Sequence, residues 1–132
     1  MLAVLHLLKS DIPYRYPNIT FHIAHLGGGI GFQMQRIEDN YEDWDAFEEN
    51  PADILRERFY FDSANFLEEA LRLSVEVFGA DKILLGSDFP YFRDDKYVRA
   101  AEYIRSSKLS DEEKMKVLRT NAEELYQILK QC

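Results

Sequence analysis

Apolar and polar positions along this chain alternate between short dense blocks and longer periodic ones. Leu2-Ala-Val-Leu-His-Leu-Leu8 is apolar at all but one position, which predicts a buried helix. It stops near Ser10 and Asp11 and is closed off by Pro13 and Pro17. Ile19 to His25 reads as a strand followed by Gly27, Gly28 and Gly29. Phe59-Tyr60-Phe61 reads as a second, ending at Asp62-Ser63, and Lys82-Ile83-Leu84-Leu85 as a third. The third has three consecutive apolar residues without polar alternation. That suits a strand covered on both faces, as in a parallel sheet flanked by helices.

Helical patterns fill the intervals. One runs from about Ile30 to Ile37. Another, over 66–78, puts Leu67, Ala70, Leu71, Ser74 and Phe78 on one stripe, with Gly79 in the C-terminal closing position. A third lies near 97–106, followed by two tail helices. Ser110 with Glu113, and Asn121 with Glu124, have the spacing of an N-cap and its third-position acid. Residues 38–58 carry nine carboxylates together with Trp44 and Phe47. The second half of that segment predicts a helix with Asn50 as N-cap, Pro51 at its first position and Asp53 in its first turn. The segment is most simply a solvated surface insertion, with Trp44 and Phe47 as a substrate lid or subunit contact in the functional reading.

The order is α-β-α-β-α-β-α, which implies parallel strands joined by right-handed crossovers. Three parallel strands leave both sheet edges unpaired. The sheet is therefore expected to be completed by another chain or to belong to a larger fold. At 132 residues the chain is one domain's length.

Charge narrows the partners. Sixteen basic against 24 acidic residues give a net charge of -8, which excludes a phosphate-backbone binder and makes nucleic acid no partner. The opening apolar run lacks a basic leader region and falls short of the roughly 20 residues a membrane span requires. The single cysteine, Cys132, excludes an internal disulfide framework and fits a reducing cytoplasm.

Candidate chemistry gathers at the strand ends. Asp88 follows the third strand and His25 ends the first, at the rim where open α/β sheets and barrels place their reactions. Each has a plain alternative: a strand-end histidine bonded to a backbone carbonyl, and a turn or N-cap carboxylate before Pro90. His22 and His25 stand three apart on a strand, so they face opposite sides and only one looks into a site. His6 and His22 are expected to be packing residues; Asp62 closes its strand where a substrate-facing group could sit, with a turn-forming aspartate the simpler reading. The glycines at 27, 28, 29 and 31 do not match Gly-x-Gly-x-x-Gly, and close backbone approach accounts for them better. Ser87 is not in a Gly-x-Ser-x-Gly elbow, so serine hydrolysis is not indicated.

Tyr16-Pro-Asn-Ile-Thr-Phe-His-Ile-Ala-His-Leu-Gly-Gly28, Phe59-Tyr-Phe-Asp-Ser63, Leu85-Gly-Ser-Asp-Phe-Pro90 and Thr120-Asn-Ala122 together resemble a known family. It is the carboxyl-terminal part of the amidohydrolase-related metal-dependent hydrolases, in the branch with aminocarboxymuconate-semialdehyde decarboxylase and γ-resorcylate decarboxylase. The resemblance implies a partial (β/α)8 TIM barrel of α/β class, with the three strands its last three and residues 1–132 a single partial domain. A whole barrel runs to about 250 residues, so roughly half is expected to lie elsewhere. It further implies that His25 is the general acid–base residue and Asp88 the metal-side carboxylate. The cofactor would be a divalent metal, zinc foremost and manganese second, and the substrate a small molecule undergoing hydrolysis or non-oxidative decarboxylation. The family's His-x-His pair and fifth-strand histidine have no counterpart here. One imidazole and one carboxylate fall short of the three protein ligands usual for catalytic zinc, so the chain alone is expected to be inactive. Partners would be a complementing N-terminal half or further copies in a homo-oligomer; the alternative is a catalytically inactive, self-associating half-barrel.

Overall fold

The structure, a computed structural model, describes residues 1–127, with Trp44 described by its backbone alone. Three strands form one parallel sheet in the order β1 (Phe21–Ile23), β2 (Phe59–Asp62), β3 (Ile83–Leu84). Phe21 pairs with Phe59, His22 with Tyr60 and Ile23 with Phe61. Phe61 pairs in turn with Ile83, and Asp62 with Leu84. Around them lie α1 (Leu2–Lys9), α2 (Ile12–Arg15), α3 (Met34–Trp44), α4 (Pro51–Arg58), α5 (Glu68–Phe78), α6 (Asp94–Arg105), α7 (Asp111–Met115) and α8 (Asn121–Tyr126). No helix among the described residues is long and apolar enough to cross a membrane.

Strand alternation decides the layers. Phe59, Phe61 and Ile83 are fully buried on one face. There Phe61 stacks on Phe78 of α5 at 4.3 Å between ring centroids, and Phe59 on Phe21 at 4.7 Å. Each buried ring contributes about 2–3 kcal/mol by transfer, with up to about 1.5 more from ring geometry. Met34, Ile37, Leu55 and Leu71 complete this core from α3, α4 and α5. His22 and Tyr60 share the opposite face. His22 is exposed, with its Nδ1 3.0 Å from the Tyr126 hydroxyl, and His6 is exposed as well. Neither histidine is a core packing residue, in contrast to the expectation.

Several boundaries differ from the periodicity. Only Val4 and Leu8 of α1 are buried, and Leu2 is 67% exposed; the helix rests one side on the core rather than being enclosed. Pro13 does not merely end α1 but opens α2, where a missing N–H costs nothing. Arg58 holds this connection. Its guanidinium donates to the carbonyls of Pro13, Tyr16 and Ile19 and lies over the Phe21 ring. The helix expected from Ile30 starts at Met34, after a 3-10 turn at Gly31–Gln33, and runs on to Trp44. Half of the acidic segment is thus the outer face of α3, with Asp39, Glu42 and Asp43 in solvent. Phe47 is packed in the core, not free to act as a lid; the Trp44 side chain and Cys132 lie outside the described residues.

The helix caps divide. Asn50 accepts the Ala52 N–H at 2.9 Å, and Ser110 with Glu113 closes a full capping box. The Ser110 hydrogen bonds hold the Glu113 carboxyl below its ordinary range. Asn121, by contrast, is no N-cap. The chain passes from α7 through a π-helical turn at Lys116–Thr120 directly into α8. The buried Asn121 side chain donates to the Ala80 and Ile83 carbonyls at 2.7 and 2.8 Å. It therefore pins the tail helices to β3.

Candidate active site

The chain leaves β1 in an unusual way. His25, Leu26, Gly27, Gly28 and Gly29 all have positive φ, at 58°, 52°, 74°, 61° and 84°, and make a single left-handed turn. Such a turn costs roughly 1–2 kcal/mol at each residue bearing a side chain. The glycines lower that cost, and Gly27 is also sterically required. A Cβ there would sit 2.7 Å from Ile30 Cγ2 and 3.0 Å from the Phe61 ring. The glycine cluster thus serves backbone geometry, as expected, and β1 ends two residues before His25. Because His25 lies outside the strand, strand parity does not set its direction.

Asp62, the last residue of β2, governs the turn. Its Oδ1 accepts the His25 backbone N–H at 2.8 Å and the Ala64 N–H at 3.0 Å. The His25 Nδ1 lies 3.0 Å from the Ala64 carbonyl oxygen. A carbonyl only accepts, so Nδ1 carries the proton and Nε2 of the neutral ring keeps its lone pair. The plain alternative for His25, a bond to a backbone carbonyl, is therefore present. It is compatible with acid–base work, because it settles which nitrogen can exchange a proton.

β3 is tied to the same point. The Ser63 N–H donates to the Leu84 carbonyl at 2.8 Å, and the Gly86 N–H donates to Ser63 Oγ at 3.1 Å. The Tyr103 hydroxyl of α6 donates to the Ser63 carbonyl. Burial pushes the Tyr103 phenol up to about 12, so it remains a donor throughout the ordinary pH range. Gly86 lies against Asp62, where a Cβ would meet the aspartate Cβ at 2.7 Å. Two residues on, Asp88 is half-buried with φ 57°. Its carbonyl accepts from the Tyr91 and Phe92 N–H groups at 2.9 and 3.1 Å, so its backbone does form the turn that was the plain alternative. Among the described residues no hydrogen bond or ion pair engages its carboxylate.

His25 and Asp88 thus follow the carboxyl ends of two parallel strands, on one rim, bridged by Asp62 and Gly86. Among the described residues no group of three or more His, Cys, Asp or Glu side chains is arranged to hold a metal; one imidazole and one carboxylate make an incomplete donor set. A cleft of about 280 Å³ opens beside His25 between the glycine turn and α5, with Phe32, Asn65, Leu67 and Glu69 in its walls. A separate apolar groove of about 370 Å³ lies between α1 and α3. Ser63 and Tyr103 are not legible as site residues in the sequence, and Asp62 reads there chiefly as a turn former. The one local signal was an Asp-Ser pair closing a strand.

Parallel strands flanked by helices, with polar side chains collected past their carboxyl ends, define an enzyme-like α/β chain. The sequence profile of the amidohydrolase family matches residues 1–128, and the chain belongs to that family. It is 28% identical over 130 residues to γ-resorcylate decarboxylase of Polaromonas sp., covering 94% of this chain and 39% of that protein. It is 33% identical over 95 residues to 2-amino-3-carboxymuconate-6-semialdehyde decarboxylase of Dictyostelium discoideum, covering 68% and 26% respectively. The crystal structure of dihydroxybenzoic acid decarboxylase from Polaromonas sp. JS666, with bound manganese and the inhibitor 2-nitroresorcinol, superposes with a TM-score of 0.85 at 25% identity, over 97% of this chain and 40% of that one. The chain therefore spans about two fifths of the length of the Polaromonas proteins and about a quarter of the Dictyostelium one. Its fold is a partial (β/α)8 barrel of three parallel strands.

Proposed function

We propose that residues 1–132 form the carboxyl-terminal part of a metal-dependent decarboxylase of a small aromatic carboxylate, in which His25 moves the proton. The observation that carries this reading is the bond from His25 Nδ1 to the Ala64 carbonyl, which leaves Nε2 to exchange a proton at the rim. In the reaction the bond between ring carbon and carboxylate carbon breaks. Carbon dioxide leaves, and the electron pair remaining on the ring takes a proton. Protonated at Nε2, His25 delivers that proton and returns to the neutral tautomer that Ala64 favours. Decarboxylation is preferred to hydrolysis because the named relatives are decarboxylases.

Asp88 would offer one oxygen donor to a divalent ion, and the other donors would come from strands outside these 132 residues. A bound ion would supply positive charge to hold an anionic substrate. Manganese, recorded in the Polaromonas structure, is favoured over zinc on that ground. Among the described residues no strand pairs with the outer edge of β1 or β3, though Asn121 occupies the Ile83 carbonyl of β3; these strand-free edges support a complementing N-terminal half. They equally favour the second reading, an inactive half-barrel that associates with itself.

The test mixes this chain with a polypeptide carrying the first five strands of the Polaromonas relative. Native mass, metal content and carbon dioxide release from 2,6-dihydroxybenzoate are then measured. We expect turnover only in the mixed complex. His25→Ala should lower turnover by about 10²–10⁴ with metal retained, and Asp88→Ala should lose the metal. Unchanged metal content in Asp88→Ala, or full turnover in His25→Ala, removes the respective role. A homo-oligomer without metal or turnover favours the second reading.

A further inference from the structure

We propose that Asp62 is a positioning residue that sets both the backbone and the tautomer of His25, a role that rests on reading His25 as the proton carrier. His25 and Leu26 are consecutive left-handed residues with side chains, a conformation that persists only where the surroundings enforce it. The enforcing contact is the Asp62 carboxylate, which takes the His25 N–H. The same oxygen takes the Ala64 N–H, and Ala64 presents its carbonyl to His25 Nδ1. One carboxylate oxygen therefore fixes the main chain of His25 directly and its imidazole through a single intervening residue. Gly86 supplies a second, independent line to the same conclusion. The end of β3 is packed so closely on Asp62 that any side chain at 86 would displace the carboxylate. The aspartate is held from both neighbouring strands.

A merely structural aspartate would lower stability when removed but would leave the tautomer of a folded His25 unchanged. A positioning aspartate would not. The decisive readout is the ratio of Nδ1–H to Nε2–H forms in the ¹⁵N-histidine-labelled chain. It is taken from long-range proton–nitrogen correlation at about pH 8.5, where imidazoles are neutral. The His25 resonances are assigned by their loss in His25→Gln, and His6 and His22 serve as internal references. We expect the Nδ1–H form to dominate in the unmodified chain. Asp62→Ala should lower the ratio by at least about fivefold, with the references unmoved. Asp62→Asn keeps an acceptor oxygen at the same place and should hold the ratio within about twofold. Gly86→Ala leaves the carboxylate intact but pushes it aside, so it should reproduce the Asp62→Ala shift and stands in if that variant does not fold. An unchanged ratio in either folded variant, Asp62→Ala or Gly86→Ala, overturns the proposal. If instead the ratio shifts as expected while His25→Ala leaves turnover of the mixed complex intact, the positioning role stands and the proton-carrier reading falls.

Discussion

Asn121 offers a direct measure of how the tail helices stabilise the sheet. Its side-chain nitrogen donates at 2.7 and 2.8 Å to the carbonyls of Ala80 and Ile83, and the residue is 4% exposed. Asn121→Ala removes both donors; the Ala80 carbonyl keeps the Ile83 N–H, whereas the buried Ile83 carbonyl loses the donor that the side chain supplies. Each net hydrogen bond contributes about 1 kcal/mol, and the orphaned Ile83 carbonyl adds to the loss, so the expected cost is about 2–3 kcal/mol. With a urea dependence of about 1–3 kcal/mol per molar, the midpoint followed by circular dichroism should fall by about 1 M. Asn121→Asp sharpens the test. At neutral pH its carboxylate would face two carbonyl oxygens and should cost more than alanine does. Only the protonated acid can donate, so its folded-state pKa is raised above the ordinary carboxylate value. The stabilising contribution is present below about pH 4 and is lost as pH rises through the raised value. Relative to Asn121→Ala, the aspartate variant should thus recover stability in acid. A cost below about 0.5 kcal/mol for alanine, or no relative recovery of the aspartate variant in acid, would refute the assignment.

Two further outcomes follow from the rim. Gly27→Ala combines a left-handed backbone with a Cβ driven into Ile30 and Phe61, and should cost about 2–4 kcal/mol. Gly29→Ala is equally left-handed but meets nothing within 4 Å, and should cost only about 1–2 kcal/mol; equal losses in thermal or urea unfolding would show that packing against Phe61 is not the deciding factor. Burial lifts the Tyr103 phenol from its ordinary value of 10.0 to about 12. Its contribution to stability is therefore complete below pH 10 and is lost as pH rises through about 12. Absorbance titration should show a late phenolate component that disappears in Tyr103→Phe, and its persistence in that variant would assign it elsewhere.

The alternation of three strands with helices is legible in the residue pattern alone, because burial periodicity and caps act over one to four residues. Asn50 and Ser110 with Glu113 were readable for the same reason: donor and acceptor lie within a single turn. The rim positions of His25 and Asp88 followed from strand ends alone. What the side chains do there is a matter of tertiary structure. The left-handed backbone at His25 is bonded to a carboxylate 37 residues away, and locally only the glycines that follow favour such a turn. Asn121 has the local spacing of a cap, yet its amide is claimed by carbonyls 38 and 41 residues back. Phe47 sits among acidic neighbours that suggest solvent, and the core takes it nonetheless. In each case a contact between distant segments outweighs a local preference of about 1–2 kcal/mol per residue, and such contacts exist only once the sheet has assembled.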